Sequence, residues 1–148
     1  MPATSYQRQM LERTYGPFVH MAPEDTSIWL RYLEAGGGIN APFSYDVRVG
    51  NGVTMPEGSS SFAIKSAAAL TTKRIDVMWN DGPVPVICEI KKRAGATAIG
   101  QLVLYRNLWV AQFPNGQTPR LFLLTDELQP DVLPTLIEFN ISYLALGL

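Results

Sequence analysis

The chain has one cysteine in 148 residues, Cys88, so it can form neither an intramolecular disulfide nor a multi-cysteine zinc site. Apolar neighbours Val86, Ile87 and Ile90 mark that thiol as buried, and a reducing, intracellular compartment is the simplest expectation. Nowhere does an apolar run reach the roughly eighteen residues that a membrane helix needs. The opening segment MPATSYQRQMLERTYG also lacks the apolar stretch of a signal sequence, so the expectation is a soluble, cytoplasmic protein. There is no internal repeat and no low-complexity tract. A large excess of charge is missing too: the formal net charge is −1, which excludes a wholly basic nucleic-acid binder.

What charge there is has an uneven distribution. Lys65, Lys73, Arg74, Lys91, Lys92, Arg93 and Arg106 fall in the middle of the chain, whereas Asp126 to Leu148 contains no lysine or arginine. That asymmetry permits a basic cleft. The length suits one compact domain over residues 1–148.

Periodicity gives the order of elements. Asp25 or Thr26 can cap a helix running to Ala35, with Ile28, Trp29, Tyr32 and Leu33 as its apolar stripe and Gly36-Gly37-Gly38 as its stop. Phe43 to Val49 alternates like a strand, and the glycine- and serine-rich stretch from Gly50 to Ser61 reads as a loop. Lys73 to Trp79 and Val84 to Lys91 read as strands joined by a reversal at Asn80-Asp81-Gly82-Pro83. Ala96 to Phe113 is a long helix, apolar around much of its circumference and so buried on more than one side. Arg120 to Thr125 is a strand, Asp131 to Phe139 a helix and Ile141 to Leu146 a last strand. This order predicts an α/β fold with a mixed central sheet flanked by helices, a core of helix, three strands, helix and strand with a C-terminal helix and strand added.

On these strands sits a group with chemical meaning. Side chains alternate faces, so Glu89 and Lys91 point one way while Val86, Cys88 and Ile90 point the other. On the preceding strand the expectation puts Arg74, Asp76 and Met78 on one face and Ile75, Val77 and Trp79 on the opposite one. A tight antiparallel connection brings Asp76 within reach of Glu89. Two carboxylates on adjacent strands make a hard oxygen site suited to magnesium or manganese, and Lys91 can orient a water or neutralise developing charge.

Asp76, then Glu89-Ile90-Lys91, then Gln101 and Tyr105 in QLVLY resemble the PD-(D/E)XK nuclease superfamily, particularly its RecB-type or resolvase-like branch. The resemblance spans the two strands and the long helix. It implies a restriction-endonuclease-like core and a Mg2+- or Mn2+-dependent deoxyribonuclease. Asp76, Glu89 and the Ile90 carbonyl would be metal ligands, and Lys91 the catalytic lysine. Gln101 and Tyr105, four apart on one helix face, would support the site or touch the nucleic acid. Ile75 stands where the family's name has proline, a position often varied. The first helix commonly adds an acidic residue; Glu24 and Glu34 both qualify, with Glu24 preferred because resolvase-like members carry theirs near the helix start.

Plainer readings stand beside these. Tyr105 can be a core residue with a satisfied hydroxyl, Lys92 and Arg93 solvated loop charges, and His20 a surface or structural histidine. Trp29, Trp79 and Trp109 read as core or interface anchors. The expected partner is DNA, with RNA open and no membrane. A homodimer or a larger nuclease complex would give the small domain a fuller binding surface. The alternative function is a catalytically silent nuclease fold that binds nucleic acid or a protein.

Overall fold

A computed structural model describes residues 4–50, 55–65 and 72–147. Helix α1, Ser5–Tyr15, opens with a capping box in which Thr4 and Gln7 exchange side-chain and backbone hydrogen bonds. The T-x-x-Q signal was in the sequence, but no helix was expected there; the helix buries none of its residues. Helix α2, Pro23–Glu34, begins three or four residues earlier than expected, at a proline whose fixed φ suits the first helical position. No side chain caps it. Gly36 at φ +109° ends it as the glycine run predicts, and a 3-10 turn, Gly37–Asn40, follows.

The sheet has five strands in chain order: β1 Ser44–Val49, β2 Lys73–Asp81, β3 Val84–Ala94, β4 Arg120–Leu128 and β5 Ile141–Ala145. The first two pairings are antiparallel and the last two parallel. The β2–β3 hairpin turns at Gly82, φ +60°, within the predicted reversal. Helix α3, Ala96–Gln112, and helix α4, Leu133–Glu138, supply the two crossovers that parallel neighbours require. The expected second helix from Asp131 is shorter than read: Pro130–Val132 is a 3-10 turn and Pro134 lies in the first turn of α4. Of the expected loop at Gly50 to Ser61, residues 51–54 lie outside the described residues, and helical backbone starts at residue 61.

One face of the sheet packs against α3 and α4 through Ile75, Met78, Ile87, Leu102, Tyr105, Leu121 and Leu123. The other packs against α2, where Trp29, Tyr32, Phe43, Tyr45 and Trp79 form an aromatic cluster with ring centroids 4.9–6.4 Å apart. Trp29 is fully buried there, and its indole N–H donates to the Tyr45 hydroxyl at 3.1 Å.

The simple alternation of β2 fails at one point. Val77 and Trp79 pack toward α2, but Ile75 packs toward α3 with Met78. The neighbouring strand switches at the same level: Tyr45 joins the α2 cluster, Val47 the α3 cluster, and Asp46 between them has φ +52°. A left-handed residue rotates the pleat, so two residues of chain no longer return a side chain to the same face. Asp46 and Asp76 sit at this twist. Beyond it the paired ladder of β2 and β3 stops at Val77 and Cys88.

Replacing Trp29 with alanine would empty the centre of the aromatic cluster. The expected loss is about 3–5 kcal/mol in urea unfolding at unchanged m-value. A loss under about 1 kcal/mol would show that the cluster is not the main tie between α2 and the sheet.

Candidate active site

Where the β2–β3 ladder ends, the Asp76 side chain takes over the hydrogen bonding. Its Oδ2 accepts from the Ile90 amide at 2.9 Å, across the gap between the strands. Glu89, one residue before Ile90, is 4 % exposed and its carboxyl shares a hydrogen bond with that of Asp76. The expectation that Asp76 reaches Glu89 is met.

Neither carboxyl sits at its ordinary pKa. Burial pushes Asp76 up to about 6, and the Ile90 amide holds it from going higher. Burial, then the charge of Asp76, pushes Glu89 up to about 9, against the opposing pull of Lys91. The pair titrates as a unit; without a cation near neutral pH, one shared proton on Glu89 accounts for both directions. Tyr105 on α3 is buried, and its phenol is raised by burial and then by Glu89 and Asp76, so it stays neutral beside them. Gln101, one turn earlier, is partly buried with its Oε1 sealed from solvent and without a hydrogen-bond partner among the described residues. Of the expected helix pair, Tyr105 comes within the field of both carboxyls from the α3 side. Tyr105 is also a core residue, as its plainer reading had it.

Sequence reasoning missed Asp25. Half-buried in the first turn of α2, its carboxyl is raised by burial, lowered by Lys91 and raised by Glu24. Its charge in turn raises both Asp76 and Glu89. Reading Asp25 as a helix cap concealed this, since a cap lies outside the helical face pattern. The signal was the spacing: Asp25 precedes buried Ile28 and Trp29 by three and four residues, which puts it on the inward face. Glu24 is exposed and shares with Asp25, Lys91, Lys92 and Arg93 the lining of an open cavity of about 590 Å³. Glu34 is exposed at the far end of α2, about 15 Å along the axis from Glu24.

On the β1 side, a narrow crevice is lined by Val19, His20, Met21, Asp46 and Asp76. His20 is exposed, as its plainer reading had it, and its Nε2 lies 3.9 Å from Asp46 Oδ2. Asp46 also accepts from the Arg74 guanidinium at 3.2 Å.

The residues present fit a hard divalent cation. The Oε2 atom of Glu89 is buried with no hydrogen-bond partner among the described residues, and two acidic groups are crowded where donors are few. Such a set is oxygen-rich and donor-poor, the condition that a cation relieves. Among the described residues no three Asp, Glu, His or Cys side chains converge closely enough to hold a metal by themselves. Two carboxylates with neutral oxygens and water remain a normal complement for magnesium.

No family model and no curated protein matches the sequence. Solved structures do match in fold. A repair endonuclease from Pyrococcus abyssi is 14% identical with a TM-score of 0.50 over 89% of this chain and 50% of that one. EndoMS in its complex with dsDNA is 15% identical with a TM-score of 0.51 over 89% of this chain and 48% of that one. The chain thus spans about half the length of each, and the α/β fold with a mixed, helix-flanked sheet is one that these endonuclease structures share. No helix among the described residues is long and apolar enough to cross a membrane.

The raised carboxyls set a pH dependence. The folded protein binds the Glu89 proton more tightly than the unfolded chain, whose Glu89 returns to about 4.5. Stability without divalent metal is therefore full below the unfolded value and is lost as pH rises through about 9; Asp76 acts in the same direction between 3.8 and about 6. Urea midpoints in EDTA should fall steadily from about pH 5 to 9, and Glu89→Gln should flatten the fall. A midpoint that rises over this range in the unsubstituted protein would contradict a protonated Glu89.

Proposed function

We propose that the chain is a divalent-metal-dependent nuclease of the PD-(D/E)XK kind that hydrolyses phosphodiester bonds in DNA. The observation that carries this reading is the carboxyl pair at the end of the β2–β3 ladder. Part-buried Asp76 and buried Glu89 lie together, mutually disfavour ionisation, and are within the field of Lys91. A stable fold has no need of such a pair, since an apolar pair of similar volume would cost less. The fold shared with endonuclease structures, one of them bound to dsDNA, supports the same conclusion.

Asp76, Glu89 and the Ile90 carbonyl would hold Mg2+ or Mn2+, with Asp25, in place of Glu24, as the carboxylate contributed by α2. Such an ion supplies Lewis acidity, making water a better nucleophile near neutral pH and offsetting charge on the phosphoryl oxygens. The chain's own groups do the rest. Lys91 lines the open cavity beside Asp25, where its ammonium can hold the attacking water or pair with a non-bridging oxygen. The Ile90 amide fixes Asp76 in place, so the carboxylate is positioned before substrate arrives. Tyr105, kept neutral, remains a hydrogen-bond donor next to Glu89, and Gln101 brings an amide whose oxygen lacks a donor.

A second reading, a nuclease fold that binds DNA or a protein partner without cutting, is favoured by the lack of a converging third carboxylate among the described residues. Metal binding separates the two. Mn2+ should raise the thermal midpoint of the unsubstituted protein, and Asp76→Asn with Glu89→Gln should abolish the rise. Asp25→Asn should weaken it more than Glu24→Gln does. Cleavage of a labelled duplex should fall at least about 100-fold in Asp76→Asn, Glu89→Gln and Lys91→Ala. Undiminished cleavage in all three folded variants would overturn the assignment, and a midpoint indifferent to Mn2+ and Mg2+ would favour the non-cutting reading.

A further inference from the structure

Six of the chain's twelve lysines and arginines gather at one end of the sheet, next to the carboxyl pair. Strand β3 runs antiparallel to β2, so its C-terminal end, with Lys91, Lys92 and Arg93, lies alongside the start of β2, with Lys73 and Arg74. Strand β1 brings Arg48 to the same end, where it is the register partner of Arg74. Arg48, Lys73, Arg74, Lys92 and Arg93 are exposed, and Lys91 is half-buried. Asp76 and Glu89 lie just inward of these cations, two residues from Arg74 along β2 and two from Lys91 along β3.

One of these cations is held in place. The Arg74 guanidinium is 3.2 Å from Asp46, the residue whose left-handed backbone twists β1 at the level of Asp76. A non-glycine residue held at positive φ carries strain that the surroundings must support. Here the twist brings the Asp46 carboxylate against Arg74, beside the crevice that Asp76 lines. Arg48 and Lys73 form no ion pair among the described residues.

The basic end has a boundary. On the next strand, Glu127 pairs with Arg93 at 3.3 Å, and Asp126 pairs with Arg31. No lysine or arginine follows. A polyanion is therefore favoured across β1, β2 and β3 and disfavoured beyond β4.

We propose that the exposed ends of these three strands form a track for the phosphate backbone of DNA. Arg48, Lys73 and Arg74 grip phosphates at the ends of β1 and β2, and Lys91, Lys92 and Arg93 at the end of β3, all beside the carboxyl pair. This rests on the nuclease reading for its substrate. Two interstrand spacings make the track about 10 Å wide. At a rise of ~3.4 Å per nucleotide that is about three nucleotides of one strand. A strand of that length lying across the three ends passes beside the carboxyl pair.

The test is equilibrium binding of a fluorescent 20-base-pair duplex in EDTA, by anisotropy over a KCl series. Binding in EDTA is read apart from cleavage. Replacing Arg48 and Lys73 together with alanine should reduce the slope of log affinity against log salt by about 0.9 per residue, about 1.8 in all. Charge reversal to glutamate at both should weaken binding at least about tenfold at low salt. Arg120→Ala, at the opposite end of the sheet, should leave the slope unchanged. Circular dichroism and the thermal midpoint verify that each variant is folded. Slope and affinity unaltered in both Arg48/Lys73 variants would overturn the track, even if the unsubstituted protein cleaves DNA with Mg2+. No binding by the unsubstituted protein would overturn it as well. Absence of Mg2+-dependent cleavage by the unsubstituted protein, with the slope change present, would overturn the nuclease reading and leave the track standing.

Discussion

Asp76 and Glu89 meet in a place where water screens them poorly, and the sheet around them is shaped by that meeting. A buried carboxylate must find donors, neutralise itself or meet a cation. Asp76 finds one donor in the Ile90 amide, which is free to be taken because the regular ladder of β2 and β3 has ended at Val77 and Cys88. Glu89 finds no donor for Oε2 among the described residues and keeps its proton instead. The opening between two strands and the perturbed acidity are thus two aspects of one arrangement. Helices on both faces exclude solvent from it: Tyr105 of α3 lies on one side and the first turn of α2, with Asp25, on the other.

The layers have different tasks. The aromatic cluster beneath α2 is dense and polar only at its margins, where Trp29, Tyr45 and Tyr32 each find a hydrogen-bond partner. It fixes α2 to the sheet, and Arg31 adds a tie from that helix to Asp126 and to the Gly147 carbonyl. Through these contacts the orientation of Asp25 is inherited from a core that contains none of the candidate residues. Helix α3 is apolar around much of its girth, and packs by Ala98, Ile99, Leu102 and Tyr105, which brings its polar Gln101 inward with them.

Much of this was legible before any coordinates. Glu89 and Lys91 could be read because β3 is regular through that stretch, and Gln101 with Tyr105 because helical spacing is a firm rule. Asp76 was identified for the right pairing but with one wrong neighbour: Ile75 turns toward α3, since the twist at Asp46 interrupts a two-residue period that sequence reading takes as unbroken. Asp25 stayed hidden behind its suitability as a cap, which disappears once Pro23 starts the helix. The role of Asp46 had no local signal. A left-handed aspartate and its guanidinium partner on the next strand are defined by tertiary geometry, and nothing in the spacing of residues 46 and 74 announces them.

Cys88 lies between the layers, fully buried on the α2 face of β3, one residue before Glu89. Burial raises its thiol well above the ordinary value, and the charges of Asp76 and Glu89 raise it further. A thiol that remains protonated and enclosed is inert toward alkylating and oxidising reagents. Because it is the chain's sole cysteine, the protein already provides a silent background for site-specific labels placed elsewhere. The same silence makes Cys88 an internal clock: its slow reaction with a thiol reagent records how often the sheet parts beneath the carboxyl pair.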